Sequence, residues 1–87
     1  MSTQPQRLVS ALDLGSSKVV ALIAEVTGDQ REVGCRILGL GVERSAGLRR
    51  GVVRDIEETT RAIDNAMKSA QRMAGVQVGS VYCGIAG

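Results

Sequence analysis

Two kinds of hydrophobic pattern follow one another along this chain. In the first half, apolar residues come in short runs broken by turn formers; from residue 55 onward they recur at helical spacing. Leu8 to Leu14 reads as a strand with Asp13 near its C-terminal end, and Lys18 to Val26 reads as a second strand. Within the second, Val19-Val20-Ala21-Leu22-Ile23-Ala24 is apolar on both faces, which predicts a central place in a sheet covered on both sides. Thr27-Gly28-Asp29-Gln30 is a turn signal. Arg31 to Val42 reads as a third strand, antiparallel to the second because the connection is short. Gly34, Gly39 and Gly41 inside it are read as marking a bend or bulge. Gly39-Leu40-Gly41 does not begin a dinucleotide fingerprint, because the third glycine position is Arg44 and no helix opens there.

Glu43 to Arg54 reads as a connection, with glycines at 47 and 51 and arginines at 44, 49, 50 and 54. The period then changes. Asp55 is the predicted N-cap of a helix, and Glu58 three residues on completes a capping box. Ile56, Ile63, Met67, Ala70 and Met73 or Ala74 recur on one helical face, widened by Ala62 and Ala66; this stripe is read as core packing. Arg61, Asp64, Lys68, Gln71 and Arg72 take the solvent side, and Gly75 is the expected stop. Val76 to Ala86 holds a fourth strand, centred on Ser80 to Ala86.

The predicted order is strand, strand, strand, helix, strand. A three-stranded antiparallel meander followed by a helical crossover makes an α/β fold with a mixed sheet, the last strand returning parallel to one of the meander through a right-handed crossover. One helix covers one face only. The bare second face, and an end directly after an apolar strand, suggest part of a larger protein. At 87 residues the chain is one domain at most, and a segment this short is expected to be marginally stable alone.

Composition narrows the chemistry. With one Tyr and no Phe or Trp, the core is aliphatic. The absence of His removes imidazole acid–base catalysis and His metal ligation from this segment. Cys35 and Cys83 have no CxxC spacing, so a zinc site is disfavoured; two buried, reduced thiols are expected rather than a disulfide. No apolar run approaches the ~18 residues of a membrane span, and the polar start Met1 to Arg7 lacks a signal-peptide layout, so cytoplasmic location is the expectation. A net charge of +2 and a single aromatic argue against a nucleic-acid module built on the arginines at 44, 49, 50 and 54.

The candidate chemistry lies in Leu12-Asp13-Leu14-Gly15-Ser16-Ser17-Lys18-Val19-Val20. A turn of small residues lets backbone N–H groups approach an anion, while two hydroxyls and a lysine add donors. Asp13 beside them suits a hydrated Mg²⁺, which retains waters and needs few carboxylates. The same residues also fit a plain β-hairpin with a polar turn.

This Asp-Leu-Gly-Ser-Ser-Lys turn between two strands resembles the first phosphate motif of the actin, Hsp70 and sugar kinase superfamily. Ser45-Ala46-Gly47-Leu48-Arg49-Arg50-Gly51-Val52-Val53-Arg54-Asp55-Ile56-Glu57, the stretch Ala62-Ile63 through Ala70-Gln71-Arg72-Met73-Ala74-Gly75, and Ser80-Val81-Tyr82-Cys83-Gly84-Ile85-Ala86-Gly87 resemble the FtsA family of bacterial cell division proteins. The resemblance covers nearly all of residues 7–87.

The resemblance implies a partial actin-like ATPase (RNase H-like) subdomain. Residues 1–6 would be a flexible tail, 7–80 the first part of subdomain 1A, and 81–87 a strand where the family's inserted subdomain begins. It places Gly15, Ser16, Ser17 and Lys18 on the ATP phosphates, and Asp13 on the acidic position near Mg²⁺, acting through water. In that layout the second phosphate and adenosine motifs, the FtsZ-binding subdomain and the C-terminal amphipathic membrane helix lie beyond Gly87. FtsZ, other divisome proteins, the membrane and further copies of the protein are the implied partners, at the cytoplasmic face of the inner membrane. Hydrolysis would be weak at most, with no catalytic residue in this segment, and the segment alone is expected to bind ATP weakly or not at all. Another actin-like filament or pilus assembly ATPase fits the phosphate turn equally; the Ser45-to-Ile56 and Val81-to-Gly87 regions favour FtsA.

Overall fold

In the computed structural model, residues 6–28, 31–45, 48–49, 52–53, 55–79 and 81–85 are described. The expected turn residues Asp29 and Gln30, the linker positions 46–47, 50–51 and 54, and Ser80 and Ala86 lie outside them. The first strand, β1, runs Gln6–Leu14, β2 Lys18–Gly28 and β3 Val33–Arg44. They form the expected antiparallel meander, with β2 between β1 and β3. The second strand runs two residues further than its apolar block, through Thr27 and Gly28, because both still pair with β3.

Two short strands missed in the linker, β4 Leu48–Arg49 and β5 Val52–Val53, pair antiparallel with each other. The helix, α1, runs Ile56–Ala74. The last strand, β6 Tyr82–Ile85, pairs parallel with β1, giving the sheet order β3-β2-β1-β6. The fold is mixed α/β, with a four-stranded sheet and one helix packed on β3 and β2.

The ends of α1 are built as its sequence demands. Asp55 holds an extended backbone and its Oδ1 accepts a hydrogen bond from the Glu58 N–H at 3.0 Å. The Thr59 hydroxyl donates to the Asp55 carbonyl at 2.8 Å. Gly75 adopts φ 74°, ψ 20°, a left-handed conformation that costs a glycine little, and donates its N–H to the Gln71 carbonyl. Gln71, assigned to the solvent side, also accepts from the Val78 N–H through Oε1 at 3.0 Å, tying the chain after the helix back onto it.

The core is narrower than the apolar stripe suggests. Buried in it are Leu12, Leu14, Val19, Ala21 and Ile23 from the sheet and Ala62, Ala66 and Ala70 from the helix. Ile63 and Met67 pack at its margin, as does Ala74, which takes the place left open between it and Met73; Ile56, expected in the stripe, and Met73 are 74% and 66% exposed. The helix therefore meets the sheet along its alanines. The facing strand explains why: a Cβ on Gly41 would fall inside the contact distance of the Ala66 carbonyl, and one on Gly39 would do the same at Ala70. These two glycines serve close helix approach; Gly39 also stands at a bulge, as expected, whereas Gly41 pairs regularly with Ala21. The sheet does hold a bulge, since Ile23 pairs with Gly39 and Ala24 with Ile37, which leaves Leu38 as the extra residue on β3.

The opposite face of the sheet is left open. Val33, Ile37, Leu40 and Val42 of β3 are exposed, Val9, Ala11, Val20 and Leu22 only half-buried. Both cysteines are free thiols, as expected, but exposed rather than buried: Cys35 lies on the edge strand β3, and Cys83 on β6 at the other edge. No helix among the described residues is long and apolar enough to cross a membrane.

Candidate functional site

The Asp13-to-Lys18 segment is the tight connection between β1 and β2. Leu14 pairs with Val19 as the last strand pair, and the Gly15 N–H donates to the Lys18 carbonyl at 2.9 Å, so Ser16 and Ser17 form the tip. This hydrogen bond engages the Gly15 N–H within the turn, leaving the serine end as the source of donors for an anion. A Cβ on Gly15 would stand 3.1 Å from the Lys18 carbonyl oxygen, a tight contact that the turn would have to relieve by a few tenths of an ångström. Ser16, Ser17 and Lys18 are exposed, and neither serine hydroxyl has a hydrogen-bond partner among the described residues.

Strand alternation fixes the side of the sheet on which each group stands. Leu12, Leu14, Val19 and Ala21 face α1. Asp13 pairs with Val20, Val20 with Val42, and Lys18 with Arg44, so Asp13, Lys18 and Arg44 stand together at one end of the open face. Asp13 is exposed. Among the described residues no group of three or more His, Cys, Asp or Glu could hold a metal ion.

Beside the turn lies an open groove of about 650 Å³, lined by Ser16, Ser17, Lys18, Val42, Arg44, Ser45, Glu58 and Arg61. Asp13 and Gly15 do not line it. Its far wall is held by Arg61. The guanidinium donates to both Glu58 carboxylate oxygens, at 3.0 and 2.6 Å, to Glu43 Oε1 at 2.9 Å and to the Arg44 carbonyl at 3.0 Å. The hydrogen bonds to Glu58, then Glu43, hold Arg61 protonated well above the usual arginine range. The Ser45 N–H completes the link by donating to the Ser17 carbonyl at 3.0 Å. Helix start, end of β3 and turn are thus joined in one chain of polar contacts.

Sequence reasoning found the turn but missed this wall. The pattern puts Arg61 on the solvent side, where it is indeed exposed but ion-paired, and Arg44 in the connection after the third strand. The Glu58–Arg61 spacing of three on a helix was the available signal for the first. The second depended on the β2–β3 register, which the bulge at Leu38 shifts by one residue.

No family model matches the chain. Curated relatives do. It is 44% identical over 86 residues to the cell division protein FtsA of Pseudomonas aeruginosa, a match covering 99% of this chain and 20% of that protein. The FtsA of Neisseria meningitidis serogroup B is 46% identical over 84 residues, with 97% of this chain and 20% of the relative covered. That of Escherichia coli K12 is 35% identical over 82 residues, covering 94% and 19%. The chain belongs to the FtsA family. It spans about a fifth of the length of the FtsA proteins it matches.

Proposed function

We propose that this segment is the first phosphate-binding part of an actin-like cell division protein, and that Ser16, Ser17 and Lys18, on a turn that Gly15 keeps tight, hold the phosphates of ATP. The observation that carries the reading is the serine-tipped turn. Two hydroxyls without partners among the described residues and an exposed lysine project from a tight β1–β2 connection in a chain of the FtsA family. Hydroxyl and ammonium donors to a phosphate are charge-assisted and short, so a few of them suffice for orientation. Asp13, exposed at the same end of the sheet, suits a hydrated Mg²⁺ that would offset phosphate charge.

On this reading residues 7–80 begin an actin-like subdomain 1A. The intact protein anchors FtsZ filaments to the cytoplasmic membrane, recruits divisome proteins and self-associates at the division site. This segment supplies one side of the nucleotide cleft. No residue in it is assigned to positioning an attacking water, so ATP acts here as a ligand that biases conformation through unequal affinity for two states.

Calorimetry on the intact protein tests the reading. Ser16→Ala and Lys18→Ala each remove a donor to an anion and should weaken ATP binding by roughly tenfold or more. Affinity unchanged in both variants would remove the phosphates from this turn.

A further inference from the structure

Lys18 and Arg44 are direct partners across β2 and β3, at the pair nearest the turn. Like charges facing each other on neighbouring strands repel. Neither side chain has a carboxylate within ion-pair distance among the described residues, although Glu43 and Glu58 stand close by. Those two glutamates are engaged by Arg61. Of the three cations lining the groove, one is therefore neutralised and two are left facing each other.

The backbone that carries Arg44 is also held in place. Its carbonyl accepts from Arg61, and the next N–H, of Ser45, donates to Ser17 in the turn itself. A flexible arginine on a loose strand end would explain an unpaired charge as ordinary solvation. Here the peptide group that follows the Arg44 Cα is tied through both its carbonyl and its N–H, and the side chain stands on the same face as Asp13 and Lys18.

We propose that Arg44 is a second anion-binding residue of the turn, bridged to Lys18 by the phosphate chain of the nucleotide. The inference rests on the phosphate reading above and adds a residue to it. A di- or triphosphate brings several negative oxygens between the two cations and turns their repulsion into attraction. The guanidinium fork can grip two oxygens at once, which an ammonium cannot.

The experiment is calorimetric titration of Mg–ATP and, separately, of tripolyphosphate into the intact protein and its Lys18→Ala, Arg44→Ala and Arg44→Lys variants. Ligand-free melting is recorded for each. Arg44→Ala should weaken both ligands roughly tenfold with no fall in the ligand-free melting midpoint, and Arg44→Lys should recover part of the loss. If Lys18→Ala weakens binding while Arg44→Ala binds as the parent does, Arg44 is a solvated strand end and the proposal falls, with the phosphate reading intact. If neither variant changes affinity, both readings fall.

Discussion

The two faces of the sheet solve opposite problems with the same alternating strands. Toward α1 the sheet offers Gly39, Gly41 and Ala21, and the helix answers with Ala62, Ala66 and Ala70, so backbone meets backbone. Away from α1 it offers Val20, Leu22, Ile37, Leu40 and Val42, larger side chains that are half-buried or exposed. The strip directly under α1 is the one poorer in carbon, while Leu12, Leu14, Val19 and Ile23 fill the core around it. Depth of burial here follows how closely two elements can approach, and the smallest residues allow the closest approach. The charged end of the open face, with Asp13, Lys18 and Arg44, is free for chemistry because the helix covers the other side.

The comparison breaks most sharply at Gly41. Gly41→Val would drive a branched side chain into the Ala66 carbonyl, and neither backbone can move without opening the interface. Overpacking of this kind costs about 3 kcal/mol, much of what a domain of this size has. The cooperative transition followed by circular dichroism should be lost or shifted far down in denaturant. A variant that melts like the parent would show that α1 does not sit on the glycines.

Less is expected at the helix start. Asp55→Ala removes the acceptor of the Glu58 N–H and should cost about 1 kcal/mol, read as a shift in the denaturant midpoint with unchanged slope. Asp55→Ser should restore most of it, since a hydroxyl can cap as well. Arg61→Ala should act on the site instead: it removes the cation between Glu43 and Glu58 beside the groove and should weaken ATP binding by the intact protein. Unaltered affinity would mean that the groove wall does not hold the turn.

Much of this was legible in the residues. The order of elements, the Asp55 cap and the Gly75 stop follow from local chemistry, which acts over three or four residues. The turn at 15–18 was legible because glycine, two serines and a lysine between apolar strands leave few other conformations. What stayed hidden depends on partners distant in sequence. Ile56 and Met73 fit the helical stripe, and only the glycines of β3 reveal that the contact line runs through the alanines instead. Arg44 became a neighbour of Lys18 only through a register that a single bulge resets. The two-stranded β4–β5 pair was hidden for a plainer reason: two residues a side are too few to show a period.

The smallest effect belongs to the open face, and it sharpens the comparison from the other side. Ile37 is 63% exposed on the edge strand, so Ile37→Thr removes little buried carbon while keeping the β-branch that a strand favours. Its cost in the 87-residue chain should stay within about 0.5 kcal/mol, the range of ordinary surface changes. Concentration-dependent association of the chain should fall, because the substitution breaks a run of exposed apolar groups with Val33, Leu40 and Val42. The same substitution in the intact protein reports on cover. A cost of about 2 kcal/mol there, the scale of a buried aliphatic side chain, would place a second layer over this face, and the contrast between the two faces would then belong to the segment rather than to the assembled molecule.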